Sequence, residues 1–244
     1  MCLVSLHRLL DKMKIEIWSD VMCPFCYIGK RRFEDALQNF EHKDKVEIEW
    51  KSFQLNPDLK TDPSLNITQY LADAKGWTFE YAQQLNNRVT EMAAEVGLTY
   101  AFDKAVVANS FDAHRFAHLA KQHGFGDKAE EALFRAYFTD GRNIADHETL
   151  IELGVEMGLN ETEIKQMLQT EAFAEDVKHD IAEAGYLGIR GVPFFVMNGK
   201  YAVSGAQMVP VFSETLEKSY QEWQTENTGL NIIDGENCSV DGNC

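Results

Sequence analysis

The sequence predicts an α/β fold in which one small sheet collects strands from both ends of the chain and a long helical block interrupts it. Three observations carry this expectation. Apolar and polar residues alternate over residues 15–20 and again over 46–53, the period of half-buried strands. Helical spacing then dominates from about residue 66 to 187. The period of two returns over residues 192–197, where Asn198-Gly199 signals a type I′ hairpin into a returning strand over 200–203.

Taken in order, the first strand leads into Cys23-Pro24-Phe25-Cys26 and then a helix over 27–40. That helix places Ile28, Phe33, Ala36, Leu37 and Phe40 on one face, with Lys30, Arg31, Arg32, Glu34 and Asp35 between them. Pro24 fits the first helical position, where its missing N–H costs nothing. After the second strand, Asn56-Pro57 and Asp62-Pro63 predict an extended loop. Helices are expected over 67–74, 78–96, 110–123, 128–139, 147–157, 161–169 and 172–186, separated by Gly76, Gly97, Gly124-Phe125-Gly126, Gly141 and Gly158-Leu159-Asn160. Asn160 with Glu163 fits a capping box. A last helix over 209–224 follows Gly205. The organisation expected is a disordered extension at 1–12, an α/β domain from 13–65 and 188–224, a helical insertion at 66–187, and a flexible Cys-containing tail at 225–244.

The 244 residues are 45% hydrophobic, enough for a sizeable core. A formal net charge of −16 argues against nucleic-acid and anionic-membrane partners, which need clustered Lys and Arg. No apolar run approaches the roughly 18 residues of a membrane span. Residues 1–13 hold no apolar stretch of signal-peptide length, so a cytoplasmic location is expected. In that compartment a Cys-x-x-Cys pair is more often catalytic, redox-sensing or metal-binding than a structural staple.

The two thiols should sit on a strand-to-helix turn. A helix N-terminus stabilises an anion, which favours thiolate on the first cysteine. Cys23 is therefore the candidate nucleophile, and Cys26, one turn further in, the candidate resolving thiol. A zinc site would need four ligands, and the remaining Cys2, Cys238 and Cys244 lack the spacing, so no metal is expected. Cys238 and Cys244 close a short loop at low entropic cost. They are weighed evenly as an accessory redox pair and as exposed thiols without a role. His114 and His118 stand four apart on a helix and read as a hydrogen-bonded face rather than as metal ligands. Trp50, Phe53, Phe116, Phe134 and Phe138 read as core, whereas Met22 and Phe25 either form an apolar docking surface or pack inside.

Cys-x-x-Cys opening a helix after a strand is the redox motif of thioredoxin-like proteins. With Gly191-Val192-Pro193 before the second pair of strands, and with residues 19–29, 109–115 and 204–207, the chain resembles the DsbA family and, within it, the FrnE-like branch. That branch is related to 2-hydroxychromene-2-carboxylate isomerases, and the resemblance runs over about residues 14–223. It implies a thioredoxin-like fold with a large all-helical insertion domain and the activity of a thiol–disulfide oxidoreductase. It implies a cis Val192–Pro193 bond facing the thiols, with the Val192 backbone available to an extended substrate segment. The implied partners are thiol- or disulfide-containing proteins and peptides. No bound cofactor is implied, and glutathione is a candidate co-substrate. Strongly oxidising relatives carry His at the position of Phe25, and Phe25 has no proton to donate. A moderate rather than extreme oxidant is therefore expected. The rival readings are a glutathione-dependent isomerase of aromatic or polyketide-type small molecules and a non-catalytic binding module or chaperone. The isomerase relatives commonly carry Ser at the first Cys position, so the two thiols here favour disulfide exchange.

Overall fold

The computed structural model describes residues 12–227, so Cys2, Cys238, Cys244 and nearly all of the expected extension and tail lie outside the described residues. Four strands form the main sheet in the order β2-β1-β5-β6. β1 (Met13–Ser19) pairs in parallel with β2 (Val46–Ser52), Ile17 opposite Trp50. On its other side β1 pairs antiparallel with β5 (Phe194–Met197), Ile17 opposite Phe195. β5 turns back through Asn198 and Gly199, both at positive φ, into β6 (Tyr201–Ser204). Both central residues of a type I′ turn need that backbone, which Asn and Gly adopt at least cost.

One face of the sheet is covered by α1 (Pro24–Gln38) and α9 (Val209–Asn227). Phe33, Phe195 and Phe212 meet there with ring centroids 4.7 to 5.8 Å apart. The other face holds Trp18, packed with Ala184 and Ile189. The Trp18 indole N–H donates to the Asp180 carbonyl of α8 (Ala174–Tyr186) at 3.0 Å.

Between β2 and β5 lie α2 (Ile67–Lys75), α3 (Phe79–Glu95), α4 (Phe111–Gln122), α5 (Gly126–Phe138), α6 (His147–Met157), α7 (Glu161–Gln169) and α8. Their shared core, built around Phe116, Leu133, Phe134 and Ile164, is continuous with Cys23, Cys26, Tyr27 and Ile28 of the sheet domain. The thiols thus stand at the seam between the two parts.

Four local expectations are corrected. Residues 62–66, read as loop, form β3 (Asp62–Asn66), which pairs with β4 (Val106–Val107). A two-residue partner is too short to show alternation, and Pro63 is tolerated because the ribbon is all edge. β5 starts at Phe194 rather than 192, because Pro193 has no N–H for the ladder. α8 starts at Ala174 rather than 172, because Phe173 takes a left-handed φ of 62°. Asn160 does cap α7, accepting from Thr162 and Glu163 N–H, but the Glu163 carboxylate meets His123 at 3.0 Å instead of closing a capping box.

Candidate active site

The redox turn is built by Asp20. Its carbonyl accepts the Cys23 N–H at 2.9 Å. One carboxylate oxygen accepts the Met22 N–H at 3.2 Å, and the other accepts the Leu55 N–H at 2.7 Å. Cys23 is the N-cap of α1 in extended conformation, Pro24 follows at the first helical position, and the Cys26 N–H closes onto the Cys23 carbonyl at 3.0 Å. The local reason is the one expected: Pro24 presets φ for the helix and gives up an N–H that had no partner to lose. Both thiols are buried, Cys23 at 4% exposure and Cys26 at 1%. Burial pushes the Cys26 thiol well up from its ordinary value and the Cys23 sulfur adds to the effect, against the Ser19 hydroxyl and the Asp20 backbone.

Val192 and Pro193 face this turn. The Cys23 thiol donates to the Val192 carbonyl at 3.5 Å, and the Val192–Pro193 peptide bond is cis. The loop can approach so closely because residue 29 is Gly: a Cβ there would stand 2.9 Å from Pro193 Cγ. The Gly205 N–H donates to the Pro193 carbonyl at 2.8 Å, and the Arg32 guanidinium donates to the Ala206 carbonyl at 2.6 Å. The 204–207 motif therefore holds this loop against α1. Phe25 is exposed, whereas Met22 packs against the core.

Beneath the turn lies a buried charged group that sequence reasoning missed. His114 Nε2 stands 3.6 Å from Asp20 Oδ1, an ion-pair rather than a hydrogen-bond distance. Burial works against the imidazolium, but Asp20, Glu130 and the Phe53 backbone hold His114 above its ordinary value. Glu130 Oε2 is buried without a hydrogen-bond partner, and its carboxyl is pushed up to about 7, chiefly by burial. His118 serves a different partner, meeting Asp180 and the Ser52 hydroxyl, each at 3.1 Å. Among the described residues no group of three or more His, Cys, Asp or Glu is arranged to hold a metal. The motif 109–115 was a signal for His114, though nothing in it named Asp20 as the partner.

Two further contacts tie the turn to the helical block. The Tyr100 hydroxyl donates to the Pro24 carbonyl at 2.7 Å. Lys30, fully buried, meets Glu34 of its own helix and Asp127 and Glu131 of α5, while Arg31 and the Tyr27 hydroxyl both reach Glu131. Asn109 pins the 54–61 loop, donating to the Pro57 and Leu59 carbonyls at 3.2 and 2.8 Å and accepting from Gln54 at 3.2 Å. No helix among the described residues is long and apolar enough to cross a membrane.

With this geometry in view, the comparisons with known proteins agree in kind. Residues 14–217 match the family described as DSBA-like thioredoxin domain. The solved structure of a probable DsbA oxidoreductase from Streptomyces coelicolor is 40% identical, with a TM-score of 0.83 over 94% of this chain and 97% of that one. The uncharacterized protein YwbO of Bacillus subtilis (strain 168) is 30% identical over 83% of this chain and 94% of its own length. A 2-hydroxychromene-2-carboxylate isomerase, 14% identical, shares the fold with a TM-score of 0.62 over 89% of this chain and all of its own.

Proposed function

Because the chain belongs to the DsbA-like thioredoxin-domain family, we propose that it is a thiol–disulfide oxidoreductase acting on protein or peptide thiols and disulfides, with Cys23 as nucleophile and Cys26 as resolving thiol. One observation carries the reading: Cys23 caps the N-terminus of α1 with its sulfur against the Val192 carbonyl, and Cys26 lies buried one turn behind it. The Cys23 thiolate attacks a substrate disulfide, forming a mixed disulfide and releasing one substrate thiolate. Cys26 then loses its proton and attacks the Cys23 sulfur. The Cys23–Cys26 disulfide closes, the second substrate sulfur leaves as a thiol, and two electrons have passed to the substrate. The same steps run backwards when the pair oxidises a dithiol.

Burial of Cys26 supports this division of labour, since a thiol kept protonated at rest does not compete with Cys23 for substrate. The backbone at Val192 and Pro193 serves an extended substrate segment by strand addition. The exposed Phe25, next to the thiols in sequence, offers that segment an apolar contact. Glutathione is the small-thiol co-substrate that returns the pair to its starting state. Cys238 and Cys244 are candidates for exchanging with this pair from the tail. Insulin-reduction and oxidative-refolding rates left unchanged by Cys238→Ser and Cys244→Ser would remove that role.

The test uses four variants of the full chain. Cys26→Ser should accumulate a mixed disulfide with substrate, and Cys23→Ser should abolish turnover in both insulin reduction and oxidative refolding. Double Cys→Ala protein with full activity would sink the exchange mechanism and favour a binding module. Cys23→Ala protein that isomerises a 2-hydroxychromene carboxylate in the presence of glutathione would favour the isomerase.

A further inference from the structure

Neither residue between the two cysteines can donate a side-chain proton, since Pro24 and Phe25 are both apolar. The turn nevertheless receives a hydroxyl from far away in the chain. Tyr100, in the connection between α3 and β4, donates to the Pro24 carbonyl at 2.7 Å. Its ring is 6% exposed, stacked on Phe138 with centroids 4.7 Å apart and edge-on to Phe102 at 5.6 Å. Those contacts hold the hydroxyl in place before any substrate arrives. Burial, with Cys23, Tyr27 and Cys26 in electrostatic reach, pushes the phenol far above its ordinary value, so it remains a donor at any working pH.

The Pro24 carbonyl and the Phe25 N–H belong to one peptide group. That N–H lies in the first turn of α1, where backbone donors have no helical acceptor. A donor on the carbonyl side polarises the group and strengthens its N–H. Cys23, the N-cap, accepts no capping bond through its side chain and instead donates its thiol proton to Val192. Once ionised, its sulfur can only accept, and the first-turn N–H groups are the donors an N-cap side chain reaches.

We propose that Tyr100 is a positioning residue of the redox pair: its hydroxyl, delivered by the helical block, fixes and polarises the Pro24–Phe25 peptide group, stabilises the Cys23 thiolate and makes the pair more oxidising than the same turn without it. This rests on the thiol–disulfide reading above. The step it tunes is balanced as written: protein disulfide and two glutathione thiols give protein dithiol and glutathione disulfide.

The test equilibrates the full chain with glutathione buffers of graded ratio and, in a Cys26→Ser background, follows Cys23 alkylation against pH. Tyr100→Phe, which keeps the ring and its stacking, should lower the equilibrium constant for reduction about threefold, or about 14 mV at the 29.6 mV per tenfold of a two-electron couple. It should also move the alkylation profile to higher pH. Fluorotyrosine at position 100, a stronger donor of the same shape, should move both the other way, and it decides the matter should Tyr100→Phe not fold. Tyr137→Phe loses another buried hydroxyl bond, to the Val106 carbonyl at 2.9 Å, and should move neither. Tyr100 variants that titrate like the unaltered protein, or shift only as much as Tyr137→Phe, overturn the inference alone. An unaltered pair that closes at no glutathione ratio overturns the redox reading and this inference with it.

Discussion

Glu130 sits at the centre of the buried group under the redox turn, and its titration makes stability depend on pH. Burial raises its carboxyl from an ordinary 4.5 to about 7, with Asp127 and Asp20 adding to the rise and His114 and Lys30 opposing it. A folded value above the unfolded one means the folded state holds the proton more tightly. Its contribution is therefore complete below 4.5 and lost as pH rises through about 7. His114, also raised, acts in the same direction, losing its contribution as pH climbs through its elevated folded value. At 1.36 kcal/mol per pH unit, Glu130 alone accounts for a loss on the order of 3 kcal/mol between mildly acidic and mildly alkaline solution. Glu130→Gln should flatten that slope, measured as urea midpoints at pH 5 and pH 8. An unchanged difference between the two midpoints would show that the carboxyl is not protonated in the fold.

Among the elements, α8 meets the sheet most densely at Asp180, alongside Glu183 on Lys51 and Ala184 on Trp18. The Asp180 carbonyl takes the Trp18 indole N–H from β1, while its carboxylate takes the Ser52 N–H of β2 at 2.9 Å, Lys51 at 3.3 Å and His118 of α4 at 3.1 Å. Burial alone would raise this carboxyl, yet His118, the Ser52 N–H and Lys51 hold it below its ordinary value. Asp180→Ala leaves the Ser52 N–H without its acceptor and Lys51 with the more exposed Glu183. The expected cost is about 3 kcal/mol, at the lower edge of breaking a buried ion pair because Glu183 remains. Denaturant unfolding at constant m-value checks it. The limits of α6 and α7 were legible because local chemistry sets them. Asp146 and Asn160 accept first-turn N–H groups, and Gly158 takes the left-handed C-cap. Phe173 marks the opposite case. It takes a left-handed φ, its ring stacks on His118 from another helix with centroids 6.4 Å apart, and no local signal announces it.

At the scale of the whole molecule, the thiols lie where the core of the helical block reaches into the sheet part. The helical block's core runs into Cys23, Cys26, Tyr27 and Ile28, and the Lys30 cluster clamps α1 to α5. A seam so packed and so charged should couple the two parts. Unfolding in urea should follow one transition, coincident by tryptophan fluorescence and far-ultraviolet circular dichroism. Two separated transitions would mean that the clamp is weaker than its burial implies.

By itself the sequence determined the periods of two and 3.6, the order of strands and helices, and the seating of Cys23-Pro24-Phe25-Cys26 at a helix start. Those signals are written within a few residues of where they act: alternation along a strand, Pro24 at the first helical position, Asn198-Gly199 in a turn. Val192–Pro193 opposite the thiols was implied by the family resemblance; only the tertiary structure decided the contacts that build the rest of their surroundings. Tyr100 reaches Pro24, Gly29 admits Pro193, and His114 and Glu130 gather beneath Asp20. Each of those contacts joins residues distant along the chain. A periodic pattern shows which face of an element is buried and carries no information about which distant side chain will meet it there.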